Sequence, residues 1–84
     1  MASKMDITIY PNPTYGKFQI DISNVDLPRS AMIKVYSPGG APVMRLTGIS
    51  TSNSIDISRQ PPGIYTIRII LDAENQEIFK IIKN

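Results

Sequence analysis

The residue types that most often do chemistry are scarce in this chain. It has no histidine and no cysteine. Ser–His and Cys–His nucleophilic pairs are therefore ruled out, as is zinc held by imidazole or thiolate. Serine and lysine are both present, but no spacing between them suggests a dyad. Two clusters carry oxygen ligands for a hard cation: Asp21, Asn24 and Asp26, and Asp72, Glu74, Asn75 and Glu77. Calcium takes about six to eight oxygens from a loop shaped by a well-placed glycine. Neither cluster has that glycine, so both read as solvated loop carboxylates, and no metal or cofactor is assigned. Gly39-Gly40 lacks the flanking pattern of a phosphate loop and reads as turn chemistry. Asn12-Pro13-Thr14 would be a glycosylation sequon but for its central proline. Tyr10, Tyr15, Tyr36 and Tyr65 would stack sugars if several shared one exposed face. In small sandwiches tyrosines otherwise cap the core with the hydroxyl at its edge. No catalytic residue is assigned, and the chain reads as non-enzymatic.

The elements that must position these residues are strands. Period-two alternation recurs between Pro, Gly and Asn punctuation, and helical periodicity is nearly absent. A first strand is expected over Asp6 to Tyr10, stopped by Pro11-Asn12-Pro13. A second runs from Gly16 to Ile22, with Phe18, Ile20 and Ile22 inward against Lys17, Gln19 and Asp21. Ser23 to Ser30 reads as a loop, a crossover between sheets. The third strand spans Ala31 to Ser37, with Ile33 and Val35 inward and Lys34 and Tyr36 on the other face. After the Pro38-Gly39-Gly40 turn, Pro42 to Thr47 forms a fourth strand whose leading proline suits an edge. Ser50 to Ser54 reads as a loop, and Ile55 and Ile57 mark a short fifth strand. The sixth, Ile64 to Leu71, carries Tyr65, Ile67, Ile69 and Leu71 on one face. Ile64 and Ile70 on its other face predict a central strand covered on both sides. Asp72 to Asn75 is a hairpin loop, and Gln76 to Ile82 the seventh strand. Seven short antiparallel strands at this spacing predict an all-β, immunoglobulin-like β-sandwich of two sheets.

Size and charge narrow the function classes. Eighty-four residues make one domain that buries only about 60–65% of its unfolded surface. Nearly all of its apolar share is needed as filling, which leaves little room for an enzyme-sized cavity. Nine Lys and Arg against seven Asp and Glu give a net charge of +2. The signs alternate along the chain without a basic run, so no nucleic-acid partner is expected. No stretch approaches the roughly 18 apolar residues that would cross a membrane. The start, Met1-Ala2-Ser3-Lys4-Met5, has no apolar h-region. It leaves open a cytoplasmic protein or the end of a longer exported one, and residues 1–5 read as a linker or an appendage of expression.

Four punctuated segments, in order, resemble the type A C-terminal sorting domain of the type IX secretion system. Ile9-Tyr10-Pro11-Asn12-Pro13-Thr14-Tyr15-Gly16-Lys17-Phe18 is similar to that family's entry motif. Ile33-Lys34-Val35-Tyr36, followed by Gly40 and Val43, resembles its middle hairpin. Pro61-Pro62-Gly63-Ile64-Tyr65-Thr66-Ile67-Arg68-Ile69 resembles its most diagnostic stretch, and Phe79-Lys80-Ile81-Ile82-Lys83-Asn84 its apolar and basic ending. Pro38, Pro42 and Gln60 depart from the pattern and bear on the geometry of the middle hairpin.

The resemblance implies a single sorting domain over residues 6–84 at the end of a larger protein of Bacteroidetes-type bacteria. Such domains reach the periplasm by a separate N-terminal signal. An outer-membrane translocon then recognises the folded sandwich, and a sortase-like peptidase typically removes it from its cargo. The cargo is released or attached to the cell surface. Cleavage is expected upstream of Asp6. The implied partners are therefore the translocon, the peptidase and the upstream cargo domain. Residues expected to carry recognition are Gly63, Tyr65 and Arg68, with Lys80, Ile81, Ile82, Lys83 and Asn84. Gly63 is expected to allow a positive φ. Arg68 would pair with a partner carboxylate or act as a gatekeeper charge in an Ile/Leu run. Lys83-Asn84 would insert into a receptor groove or fray. The alternative is an accessory carbohydrate-binding or adhesive module, which requires exposed tyrosines on one face.

Overall fold

Alternation of apolar and polar side chains is realised as two sheets that face each other. The computed structural model describes residues 5–84, and the expectation for residues 1–4 lies outside the described residues. Seven strands follow in order: β1 Asp6–Tyr10, β2 Lys17–Ser23, β3 Met32–Tyr36, β4 Pro42–Thr47, β5 Ser52–Asp56, β6 Gly63–Ile70 and β7 Gln76–Lys83. One sheet has three strands in the order β1-β2-β5 and the other four in the order β4-β3-β6-β7. Every strand pair is antiparallel. The Ser23–Ser30 segment carries the chain from the first sheet to the second. β4 joins β3 at the edge of the four-stranded sheet, where the proline opening it costs no ladder bond.

The inward rows fill the space between the layers. Phe18, Ile20 and Ile22 from β2 meet Ile33 and Val35 from β3, Tyr65, Ile67 and Ile69 from β6 and Ile81 from β7. Leu71, Ile55 and Ile57 complete this core, and Phe79 packs at its margin. Met5 also packs in it at 9% exposure, one residue before the start expected at Asp6.

Two expectations are corrected. The Ser50–Ser54 loop is half strand, because β5 begins at Ser52 and pairs residue by residue with Asp21 to Lys17. Its inward position Asn53 is polar, so hydrophobic periodicity could not reveal it. That buried amide is satisfied locally: Nδ2 donates to the Ser50 carbonyl at 2.7 Å, and Oδ1 accepts from the Ser50 N–H at 3.0 Å. β6 is central, as expected, but only one of its faces is covered. Ile64 is 52% exposed, since a two-layer sandwich leaves each sheet's outer face to solvent.

The molecule measures 39 × 22 × 22 Å, so it has two separate ends. Met5, the 24–31 loop and the 71–75 hairpin lie at one. The 11–16, 37–41 and 57–62 connections lie at the other, together with the end of β7.

Candidate functional site

The second end is where the motif segments converge. The Pro11–Gly16 connection is pinned from within by Thr14, which is 1% exposed. Its hydroxyl donates to the Lys17 carbonyl at 2.6 Å and accepts from the Gly16 N–H at 3.0 Å. Prolines at 11 and 13, both preceded by cis peptide bonds, offer no N–H, so the side chains between them supply the polar contacts. Asn12 uses its amide as a peptide group would. Its Nδ2 donates to the Lys80 carbonyl at 3.2 Å, and its Oδ1 accepts from the Ile82 N–H at 2.9 Å. Thr14 N–H donates to the Ile82 carbonyl at 2.8 Å, and Asn84 N–H to the Thr14 carbonyl at 2.9 Å. Four hydrogen bonds thus tie residues 80–84 to the loop after β1, on the edge of β7 that β6 leaves free.

The other edge of the same segment is held by the third motif. Gly63, Ile64 and Tyr65 pair with Lys83, Ile82 and Ile81. Gly63 sits at φ 155°, and a Cβ there would lie 2.6 Å from Cγ of Pro38. Only glycine fits both the backbone angle and the proline ring, so Pro38 in the turn after β3 is packed directly onto the third motif. That turn is regular despite its proline: Ser37 N–H donates to the Ala41 carbonyl, and Gly40 N–H to the Ser37 carbonyl, at 2.8 and 2.9 Å. The hairpin's irregularity lies instead at Val35/Tyr36, where the register with β4 shifts. Tyr65 is fully buried and donates its hydroxyl to the Pro61 carbonyl. This i to i−4 bond staples the start of β6 to the turn before it, as in the tyrosine corners of immunoglobulin-like sandwiches. The turn-bearing ends of all four motif segments, scattered along the sequence, therefore meet at one end of the molecule, while Ile33–Tyr36 and Ile64–Ile69 run back along β3 and β6.

The residues expected to carry recognition divide by burial. Lys80, Ile82 and Asn84 are exposed. Arg68 is half-buried on the outer face of β6, its guanidinium 6.0 Å from the Tyr36 ring centroid. Tyr65 and Ile81 are fully buried and Lys83 is 7% exposed. Tyr65 and Ile81 lie in the core, and Lys83 takes the inward position opposite Gly63. Gly63 acts through the close approach of Pro38. Residues 80–84 are not a frayed tail: both edges of the segment are hydrogen-bonded. Sequence reasoning missed Asn12 and Pro38 as participants. A short polar side chain between two prolines marks a turn but not what the turn reaches.

The remaining candidates are occupied within the fold. Asp21 accepts from the Tyr10 hydroxyl at 2.7 Å and from Ser52 at 3.1 Å. The Tyr10 bond holds its carboxyl below the usual range and pushes the Tyr10 phenol up. Asp72 accepts from the side chain of Asn75 and the N–H groups of Glu74 and Asn75, which lowers its pKa. Among the described residues no group of three or more Asp and Glu is placed to hold a metal. The four tyrosines do not share one face, since Tyr65 is in the core and Tyr36 lies on the opposite sheet from Tyr10; Tyr10 and Tyr15, in the connection after β1, are exposed.

A family model described as a secretion system C-terminal sorting domain matches residues 8–84. No curated protein matches the chain.

Proposed function

Because the chain belongs to the family of type IX secretion system C-terminal sorting domains, we propose that it is a non-catalytic signal read as a folded sandwich by outer-membrane machinery. The single observation that carries this reading is the meeting of four motif segments at one end of the molecule, around residues 80–84. A linear tail would lose ordering entropy each time it was recognised. A clamped strand end has already lost it on folding. Lys80, Ile82 and Asn84 are the side chains this end offers to a translocon. Gly63, Tyr65, Ile81 and Lys83 hold them in place from beneath.

The chain enters the domain at the opposite end, where Met5 packs. Cargo preceding it would therefore sit about the length of the sandwich away from the motif end. This separation lets a sortase-like peptidase cut upstream of Asp6 while the translocon holds the other end. The cargo is then released or fixed at the cell surface.

The test fuses residues 6–84 and their native linker to a reporter with its own export signal, in a bacterium that secretes by this route. The reporter is expected at the cell surface or in the medium, and deletion of Lys80–Asn84 is expected to leave it in the periplasm. A full-domain fusion that stays periplasmic overturns the reading.

A further inference from the structure

The outer face of the four-stranded sheet carries a charge pattern that the fold itself does not need. Directly across the sheet, Arg45 pairs with Lys34, and Lys34 with Arg68. Lys80 stands one row further along β7, opposite Thr66. No Asp or Glu occupies any outward position of β3, β4, β6 or β7. Like charges directly opposite each other destabilise a sheet, so the three abreast are a cost. Nε of Arg68 is buried and finds no acceptor among the described residues, which leaves one donor of its fork unused. Beside the cations lie Ile64, Ile78 and Ile82, at 52%, 56% and 44% exposure. Ile64 and Ile82 face each other across β6 and β7, and Ile78 stands opposite Arg68 with Lys80 between it and Ile82, so apolar and cationic side chains interleave on this face.

Resting on the sorting reading above, we propose that this face is the docking surface for an acidic protein surface of the secretion apparatus. Strands are spaced about 4.8 Å apart, so the partner presents carboxylates at about that interval to Arg45, Lys34 and Arg68. Apolar side chains of the partner lie on the isoleucines between these charges. Charge complementarity selects this occupant over the others. A second copy placed face to face would set cations against cations. Its other sheet offers Asp6, Asp21 and Asp56. Asp21 and Asp56 already accept hydrogen bonds from Tyr10, Ser52 and Ser58, which leaves Asp6, on the edge strand β1, against three cations abreast. Apart from the half-exposed Tyr10 ring, that sheet's outward positions are polar and give the isoleucines little to meet. A bilayer favours an apolar surface that penetrates the headgroups, whereas these isoleucines lie flush in a sheet beside the charges.

The experiment compares export of the reporter fusion carrying the wild-type domain, Lys34→Gln with Arg68→Gln, and Lys17→Gln on the opposite sheet. Melting of each purified domain is followed in parallel. The double variant is expected to melt no lower than wild type, because a like-charge contact is relieved, yet to export at least about ten-fold less. Lys17→Gln is expected to export within about two-fold of wild type. Wild-type export by a stably folded double variant overturns the docking surface and leaves the sorting reading intact. Failure of the wild-type fusion itself overturns both. Binding of the domain to phosphatidylglycerol vesicles that the double variant abolishes would replace the protein partner with a membrane. Concentration-dependent dimerisation abolished the same way would replace it with a second copy. Either result overturns the proposal.

Discussion

Replacing Gly63 by alanine tests the contact that joins two of the motif segments. The new Cβ would stand 2.6 Å from Cγ of Pro38, against a comfortable carbon–carbon separation of about 3.5–4.0 Å. The proline ring or β6 must therefore move by about 1 Å, an overpacking cost of about 1–3 kcal/mol. The backbone at φ 155° adds a further strain of about 1–3 kcal/mol for a residue with a Cβ. Together these come to about 2–6 kcal/mol, in a domain whose whole stability is about 4–13 kcal/mol for its size. With an unfolding entropy of about 0.18 kcal/mol/K, the melting temperature should fall by about 10–30 °C. The two costs separate in a double-mutant cycle. Pro38→Ala removes Cγ and leaves Cβ at 3.6 Å, an ordinary contact, so Pro38→Ala with Gly63→Ala should recover about 1–3 kcal/mol relative to additivity. Urea titrations of the four proteins, monitored for unchanged m-values, measure this coupling. Additivity within about 0.5 kcal/mol would refute the packing of Pro38 on Gly63.

Other perturbations address the rest of the end and its surroundings. Tyr65→Phe keeps the buried ring but removes the bond to the carbonyl of the exposed Pro61, and should cost about 0.5–1.5 kcal/mol by urea unfolding. Asn12→Ala removes two bonds to the β7 backbone at an exposed site. Amide exchange at Ile82 should accelerate by about five-fold while core amides such as Ile67 change less. The pH dependence follows from the carboxylates. Asp21, Asp56 and Asp72 are held low by Tyr10, Ser58 and Asn75 respectively. Their unfolded values lie at about 4. The unfolded chain binds more protons there, so their stabilisation is present above about pH 4 and lost as pH falls through the folded values. Melting curves should therefore drop on acidification below about pH 4, and Asp21→Asn should flatten that limb. Tyr10 has the opposite sign: its raised value favours the fold below about pH 10, and that contribution fades as pH climbs through the folded pKa.

Much of the fold was legible because apolar residues report their own burial. Phe18, Ile20 and Ile22 alternate without interruption, and β2 formed where they stand. β4 matches its expected span because Pro42 and the turn before it punctuate the chain. Ser52–Asp56 was half hidden because its inward Asn53 is satisfied by its own loop. Its outward Ser52 and Ser54 bond Asp21 and Gln19 across the sheet, which periodicity cannot register. The face of β6 beyond the core misled for a different reason. Ile64 and Ile70 look like residues buried by a third layer, and apolarity alone does not distinguish that from a surface left for a partner.

The site was legible in composition but not in assembly. Gly63 stands out in the sequence, yet its constraint comes from Pro38, 25 positions earlier. The same holds for Asn12 and the strand it hooks at Lys80 and Ile82, some 70 residues on. Such pairings need the register of β6 on β7 before they can be seen. The cationic row is hidden likewise, because Lys34, Arg45 and Arg68 never neighbour one another along the chain. Alternating signs in one dimension become like signs abreast in two.

The account stands on a signal built from distant segments that folding brings to one end. Its most direct measurement compares export of a reporter carrying residues 6–84 with one carrying residues 61–84, which keeps both last motifs but has no second sheet to fold against. The account predicts that only the whole domain carries the reporter to the cell surface or medium. Equal export by the 61–84 fusion would contradict it.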